Sequence, residues 1–196
     1  PIYPIVRLTE VDYAMDGGFS TLEEAREFYG DIVDMVGQFA ADEIAPKWEA
    51  IEHNPIVLRD GEVVFPKVLS SIFDELKQLG VHGLCVPREL GGMNAPLLVY
   101  MTNAEVFARA DVGVMTHISF HCGIAMAMLV YSANEGTTKV DPVNRAFVST
   151  RFEEAIREIV AGDAWGSMDI TEPDAGSDLA ALRTRGFQDA DGNWFV

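Results

Sequence analysis

The amino-acid sequence predicts a mainly α chain, an amino-terminal helical bundle over residues 1–162 followed by the first strands of a β domain over residues 163–196. Three observations carry this reading. Apolar residues recur at helical spacing in several segments, the stretch from Val112 to Asn134 has no charged side chain, and the texture after Gly162 turns to β-favouring residues around an Asp-Gly turn. With 196 residues, 48% of them hydrophobic and 10% aromatic, the chain can bury a sizeable core and lies outside the compositional regime of disorder.

The first helix is read between Thr21 and Ala45, where Leu22, Ala25, Tyr29, Ile32, Val36, Phe39, Ala40 and Ile44 share one face and acids fill the other. Ser20 and Glu23 supply a capping box, and Pro46, which lacks the amide hydrogen, closes the far end. Residues 47–64 read as irregular. Pro66 suits the first position of a second helix bearing Val68, Leu69, Ile72, Phe73, Leu76 and Leu79, and Gly80 suits its left-handed cap. After a loop at 83–92, Pro96 opens a third helix through Ala108 and Val112 a fourth. A fifth is expected over 145–160, where Phe147, Phe152, Ile156, Ile159 and Val160 alternate with charges, ending at Gly162. WGSMDIT at 165–171 then reads as a strand stopped by Pro173, and RTRGFQDADGNWFV as strand, turn, strand. The closing NWFV has the character of a strand interior, so the chain is expected to be part of a longer one.

The segment from Val112 to Asn134 is long enough to span a bilayer. His117, His121, Asn134, two glycines and several hydroxyls, with no cluster of basic residues at either flank, favour instead a helix inside a protein core and no membrane span. Lys plus Arg number 14 against 31 Asp plus Glu, and the net charge of −17 speaks against a nucleic acid partner. Cys85 and Cys122 follow neither a CxxC nor a zinc spacing, which suggests no disulfide framework and no structural metal and fits a reducing, cytoplasmic setting. The first residues lack the basic start and apolar core of a signal peptide.

Thr171 to Asp178, TEPDAGSD, is the densest candidate for chemistry. Pro173 ends strand pairing, Gly176 can adopt positive φ so that backbone amides converge, and Ser177 adds a hydroxyl donor, together a nest for a pyrophosphate. The same residue types build ordinary turns, and neither GxGxxG nor GxxxxGK[ST] is present. His117 and His121 have an i, i+4 spacing that can hold zinc, but without an HExxH glutamate or a third ligand they read as core histidines or cavity lining. Met115, Met126 and Met128 read as soft core packing, Glu105, Arg109 and Asp111 as a charged helix edge, and Trp165 as an anchor of the β domain.

Three blocks in order, VPRELGG at 86–92, AEVFARAD at 104–111 and WGSMDITEPDAGSDLAALRT at 165–184, resemble the acyl-CoA dehydrogenase family. The resemblance implies that the β domain is barrel-like and that FAD is the cofactor, with Met168, Ile170 and Thr171 along the flavin ring and Thr171 bonded to its polar edge. Ser177 would lie near the pyrophosphate and the CoA moiety of the substrate, in agreement with the nest read at Gly176 and Ser177, and on so acidic a chain any CoA phosphate site would need local help from residues such as Arg183 or Arg185. It further implies that acyl-CoA loses a proton from Cα to a carboxylate and a hydride from Cβ to the flavin, giving trans-2-enoyl-CoA, and that electrons leave through an electron-transfer flavoprotein. A homo-oligomer is expected. The family's base lies in a carboxy-terminal helical domain, so no catalytic residue is assigned here and residues 1–196 alone are expected to be inactive. An acyl-CoA oxidase, or a catalytically silent relative serving in binding or assembly, would carry the same signature. Asp169 stands where the family has an apolar or small residue, and strand alternation turns it away from 168 and 170. Leu90 replaces a common tyrosine, which leaves the shape of the substrate cavity open.

Overall fold

The computed structural model describes residues 2–15, 17–143 and 146–196. The chain divides into two compact units, Pro1–Gly166 and Ser167–Val196. The first holds the helices α1 (Ile2–Thr9), α2 (Leu22–Phe39), α3 (Trp48–His53), α4 (Lys67–Leu79), α5 (Leu97–Ala110), α6 (Val112–Asn134) and α7 (Glu153–Ala161). Between them lie two antiparallel hairpins, β1 (Val57–Arg59) with β2 (Glu62–Val64) and β3 (Lys139–Asp141) with β4 (Ala146–Ser149). The second unit contains the hairpin of β5 (Phe187–Gln188) and β6 (Trp194–Phe195).

Helix α6 occupies the span read from the missing charges, and one residue separates it from α5. Asp111 breaks the two helices with an extended backbone, and its carboxylate accepts the Val114 amide at 2.8 Å, which caps α6. Two cores meet along α6. Val114 and Ile118 join Ala25, Tyr29, Ile32 and Val36 of α2, Leu69, Ile72 and Leu76 of α4, and Val99 and Phe107 of α5. One helical turn further, Cys122, Ala125 and Leu129 pack with Val86, Leu90, and Ile156 and Ile159 of α7. Val112, Val130 and Tyr131 lie on the exposed side. Among the described residues α6 is the one helix long and apolar enough to cross a membrane.

Several sequence expectations shift. The capping box is displaced by one residue: Thr21 accepts the Glu24 amide at 3.2 Å while the Glu24 carboxylate accepts the Ser20 amide at 2.9 Å. Helix α2 does not run unbroken to Ala45. Ahead of Pro46 it loosens into a π turn at Ala40–Ile44, then a 3-10 turn at Ala45–Lys47. Residues 47–64 are not irregular, since α3 and the β1–β2 hairpin lie there. Asp60 and Gly61 both have positive φ, 53° and 86°, which matches the tight turn that an Asp-Gly pair between strands favours. Pro66 and Pro96 are N-caps, one position before their helices. Gly80 adopts the left-handed cap with φ 70°.

The fifth predicted helix begins at Glu153 rather than at 145, a position outside the described residues. Phe147 belongs to β4, because Ala146–Ser149 finds a ladder partner in Lys139–Asp141, and pairing outweighs a periodicity that two phenylalanines only loosely define. A buried hydroxyl cluster ties this hairpin to the end of α6: Ser132 Oγ lies 2.6 Å from Thr138 Oγ1 and 2.9 Å from Thr150 Oγ1. In the other direction, no ladder forms at 165–171, where a strand was expected. The β5–β6 ladder is the one strand pair of that unit among the described residues, and an extended segment without a neighbour has nothing to pair with.

The lead-in before Ser20 is built into the helical unit. Val6 is fully buried in the first core, and Glu10, also fully buried, accepts both Arg88 guanidinium nitrogens at 2.7 and 3.0 Å and the Phe19 amide at 3.1 Å. Arg88 sits over the Phe19 ring at 5.0 Å, and Asn94 donates to the Thr9 carbonyl at 3.0 Å. Breaking a buried pair strands a charge, so Glu10→Gln is expected to cost about 3 kcal/mol in urea unfolding. Glu10→Met combined with Arg88→Met should cost clearly less than the two single changes added together. A loss below about 1 kcal/mol for Glu10→Gln would remove the pair from the account of stability.

Candidate functional site

The block at 86–92 folds for backbone reasons. Pro87 opens a 3-10 turn at Arg88–Leu90 that Gly91 closes with φ 89°, and a Cβ on Gly92 would meet the Val86 carbonyl oxygen at 2.1 Å. Leu90 is buried in the second core, so it fills a packing position. In the block at 104–111, Phe107 is fully buried and Asp111 caps α6, while Glu105 and Arg109 line an open groove of about 470 Å³ between α5 and the end of α2, with Gly37, Ala40 and Thr102. That groove was not legible in the sequence, because it depends on how α5 packs beside the end of α2 and on the π turn, which contributes Ala40 and Ala41 to its wall.

The third block contributes Trp165 to the helical unit, where it packs on Phe65 at 5.7 Å and on His117 at 4.5 Å; it anchors that unit rather than the β domain. The remaining positions lie in the second unit. Met168, Thr171, Gly176 and Ser177 are exposed and Ile170 is half-buried. The Thr171 and Ser177 hydroxyls make no hydrogen bond among the described residues. Asp169 is exposed and accepts the Ser167 hydroxyl at 2.8 Å. Gly176 does not take the positive φ expected of it, because the turn is closed earlier: Glu172 and Ala175 exchange amide–carbonyl bonds of 3.2 and 3.1 Å around Pro173. Space beside Gly176 is open, with nothing within 4 Å of a Cβ position.

Glu172 organises this unit, although sequence reasoning gave it no role. Its carboxylate accepts the Arg183 amide at 3.0 Å, the Thr184 amide at 2.7 Å and the Thr184 hydroxyl, and these donors hold it below the usual carboxylate range, the Thr184 hydroxyl most of all. The one available signal was the neighbouring proline, which fixes the turn from which Glu172 reaches. Arg183 lies 3.8 Å from Asp174, both exposed.

His117 and His121 are joined by a third histidine that the linear pattern missed. The His121 ring lies 4.2 Å from that of His82 and 4.8 Å from that of His117, and Phe73 stacks on His117 at 3.8 Å. His121 Nδ1–H donates to the His117 carbonyl at 2.9 Å, whereas the Nδ1 atoms of His82 and His117 are buried without a partner among the described residues. Burial first, and neighbouring basic groups second, lower His82 to about 4 and His117 to about 3; burial also lowers His121. Lys77, near His82, is paired with Asp163. No group of three or more His, Cys, Asp or Glu among the described residues is arranged to hold a metal ion.

The family model for the acyl-CoA dehydrogenase N-terminal domain matches residues 27–139. The chain is 27% identical over 176 residues to the very long-chain specific acyl-CoA dehydrogenase of mouse mitochondria, covering 89% of this chain and 22% of that protein. It is 29% identical over 153 residues to an acyl-CoA dehydrogenase of Bacillus subtilis, covering 76% of this chain and 33% of that one. The fold resembles that of butyryl-CoA dehydrogenase from Megasphaera elsdenii, with a TM-score of 0.60 and 21% identity over 85% of this chain and 38% of that structure. The chain therefore spans well under half the length of these relatives.

The histidine cluster predicts an acid-sensitive core. An unfolded His82 takes up a proton below about pH 6.5, whereas the folded one resists protonation down to about 4, so stability falls as pH drops between those values. For His82 alone the loss at pH 5 is about 2 kcal/mol. Urea unfolding of wild type and His82→Gln at pH 7.5 and 5 should show the gap between them moving by about that amount in favour of the variant. A gap independent of pH would show that His82 is not held neutral.

Proposed function

The chain belongs to the acyl-CoA dehydrogenase family, through that family's amino-terminal domain, and on this premise we propose that the full-length protein is an FAD-dependent enzyme that oxidises acyl-CoA to trans-2-enoyl-CoA. An electron-transfer flavoprotein is the proposed electron acceptor. The observation that carries the reading is the run Met168 to Ser177, whose two unengaged hydroxyls stand on a turn that Glu172 fixes from within.

These residues suit a flavin dinucleotide. Met168 and Ile170 would offer apolar contact to the ring, Thr171 a hydroxyl donor to its polar edge, and Ser177 a donor to phosphate, with the open space beside Gly176 leaving that phosphate room. A flavin bound there would supply the acceptor for a hydride from Cβ of the acyl chain. Asp169, exposed and hydrogen-bonded to Ser167, keeps its charge in water, where an anion costs least. None of the chain's acids is assigned the task of taking the α-proton.

Thr171→Val in the full-length protein removes one donor while keeping the shape. A lost hydrogen bond of about 1 kcal/mol corresponds to roughly 20 mV for a two-electron couple, so the flavin potential and absorption should shift. Unchanged flavin content, spectrum and potential would take Thr171 out of the site. Acyl-CoA-dependent reduction of an electron-transfer flavoprotein tests the activity itself, and electrons recovered as peroxide instead would assign an oxidase. Residues 1–196 alone should turn over at least about a hundredfold more slowly, since they lack an assigned base.

A further inference from the structure

Cys85 and Cys122 are brought together by the meeting of α6 with the turns that follow α4. The 3-10 turn Val81–Gly83 and the Val86 amide bond to the Gly83 carbonyl at 3.1 Å fix the backbone around Cys85, while α6 presents Cys122. The Cys85 amide donates to Cys122 Sγ at 3.4 Å, which brings the two residues together. Both thiols are free. Their exposure differs: Cys122 is buried in the second core, and Cys85 is half-buried at its edge. Donation from the Cys85 thiol and amide favours the thiolate at Cys122 against the opposing effect of burial, and Cys85 is held protonated.

We propose that Cys85 and Cys122 are a dithiol site that closes to a disulfide by exchange with a low-molecular-weight disulfide, Cys85 receiving the small thiol and Cys122 resolving it. The proton of Cys85 passes to Cys122, and the Cys85 thiolate attacks one sulfur of the small disulfide, forming a mixed disulfide and expelling a thiolate. That thiolate takes the proton now on Cys122. The Cys122 thiolate then attacks the Cys85 sulfur, the protein disulfide forms, and the second small thiolate departs. Counted from the dithiol, the protein gives up two electrons and two hydrogens: the Cys122 proton goes to water when its thiolate forms, the Cys85 proton goes to the first small thiolate, and the second small thiolate takes a proton back from water, so that one small disulfide becomes two small thiols. The arrangement fits this order of events because the outer sulfur is the one a small molecule reaches, and the inner one already lies against it. This assignment is independent of flavin binding and of turnover.

The test is to incubate the folded chain with glutathione disulfide, quench with acid, and read intact mass and a peptide map. Wild type should lose two hydrogens, yield a peptide cross-linked through Cys85 and Cys122, and recover both thiols with dithiothreitol. Cys122→Ser should stop at one glutathione adduct on Cys85, and Cys85→Ser should react at least tenfold more slowly. A stable glutathione adduct on wild type, cross-links between two copies, or no reaction of either wild type or Cys122→Ser would overturn the proposal. Circular dichroism of both variants establishes that they are folded, and the wild-type cross-link decides the question without them.

Discussion

Desolvation of α6 is the constraint around which the helical unit is arranged. A helix with no charged residue along its length gains from every apolar surface laid against it. The unit meets this demand with two separate cores, one from α2, α4 and α5 against its first half and one from α7 and the 86–90 turn against its second. Several polar groups carried into that environment are matched locally: Asp111 caps the start, His121 bonds to the backbone of the preceding turn, and Ser132 meets two threonine hydroxyls near the end, while His117 Nδ1 is left without a partner among the described residues. The histidine cluster and the cysteine pair both arise here, since each is a set of polarisable side chains that the same burial forces into contact.

Much of the α-helical plan was legible because long periodic segments and their punctuation are local signals. Val112–Asn134, the Gly80 cap and the Asp-Gly turn before β6 follow from residues close in sequence. What escaped depended on partners far along the chain. Phe147 reads as helical until Lys139–Asp141 supplies a strand beside it, WGSMDIT reads as a strand and finds none, and nothing near Glu10 announces Arg88. The Asp60–Gly61 hairpin is different, since its turn signal stands in the sequence between apolar runs and only the mixed composition of its flanks makes the segment read as irregular.

The motif residues divide by the work they do within the chain. Gly91, Gly92, Phe107 and Asp111 answer to sterics, packing and capping, so their identity is explained without a ligand. Glu172 answers to its own turn. Thr171 and Ser177 are left over from that accounting: hydroxyls on the surface of an ordered turn with no partner among the described residues. The part of the signature that spacing made visible was thus a mixture of scaffold and free donors, and only the folded arrangement separates the two.

The π turn at Ala40–Ile44 bears on how this chain varies in length. There the Ala45 amide reaches back to the Ala40 carbonyl, so the loop holds one residue more than an α-helical turn would. Such a turn is how a helix absorbs a single inserted residue without unwinding: the surplus is confined to one turn, and Val36 before it and Ile44 at its end both remain buried. Register is lost and regained within about one turn of helix. A relative shorter by one residue at this point could keep both ends of the segment in place by reverting to plain α geometry, and a gap set there would align the faces on either side. The groove against Thr102 and Arg109 would change its outline between such relatives, while the cores beneath it stayed the same.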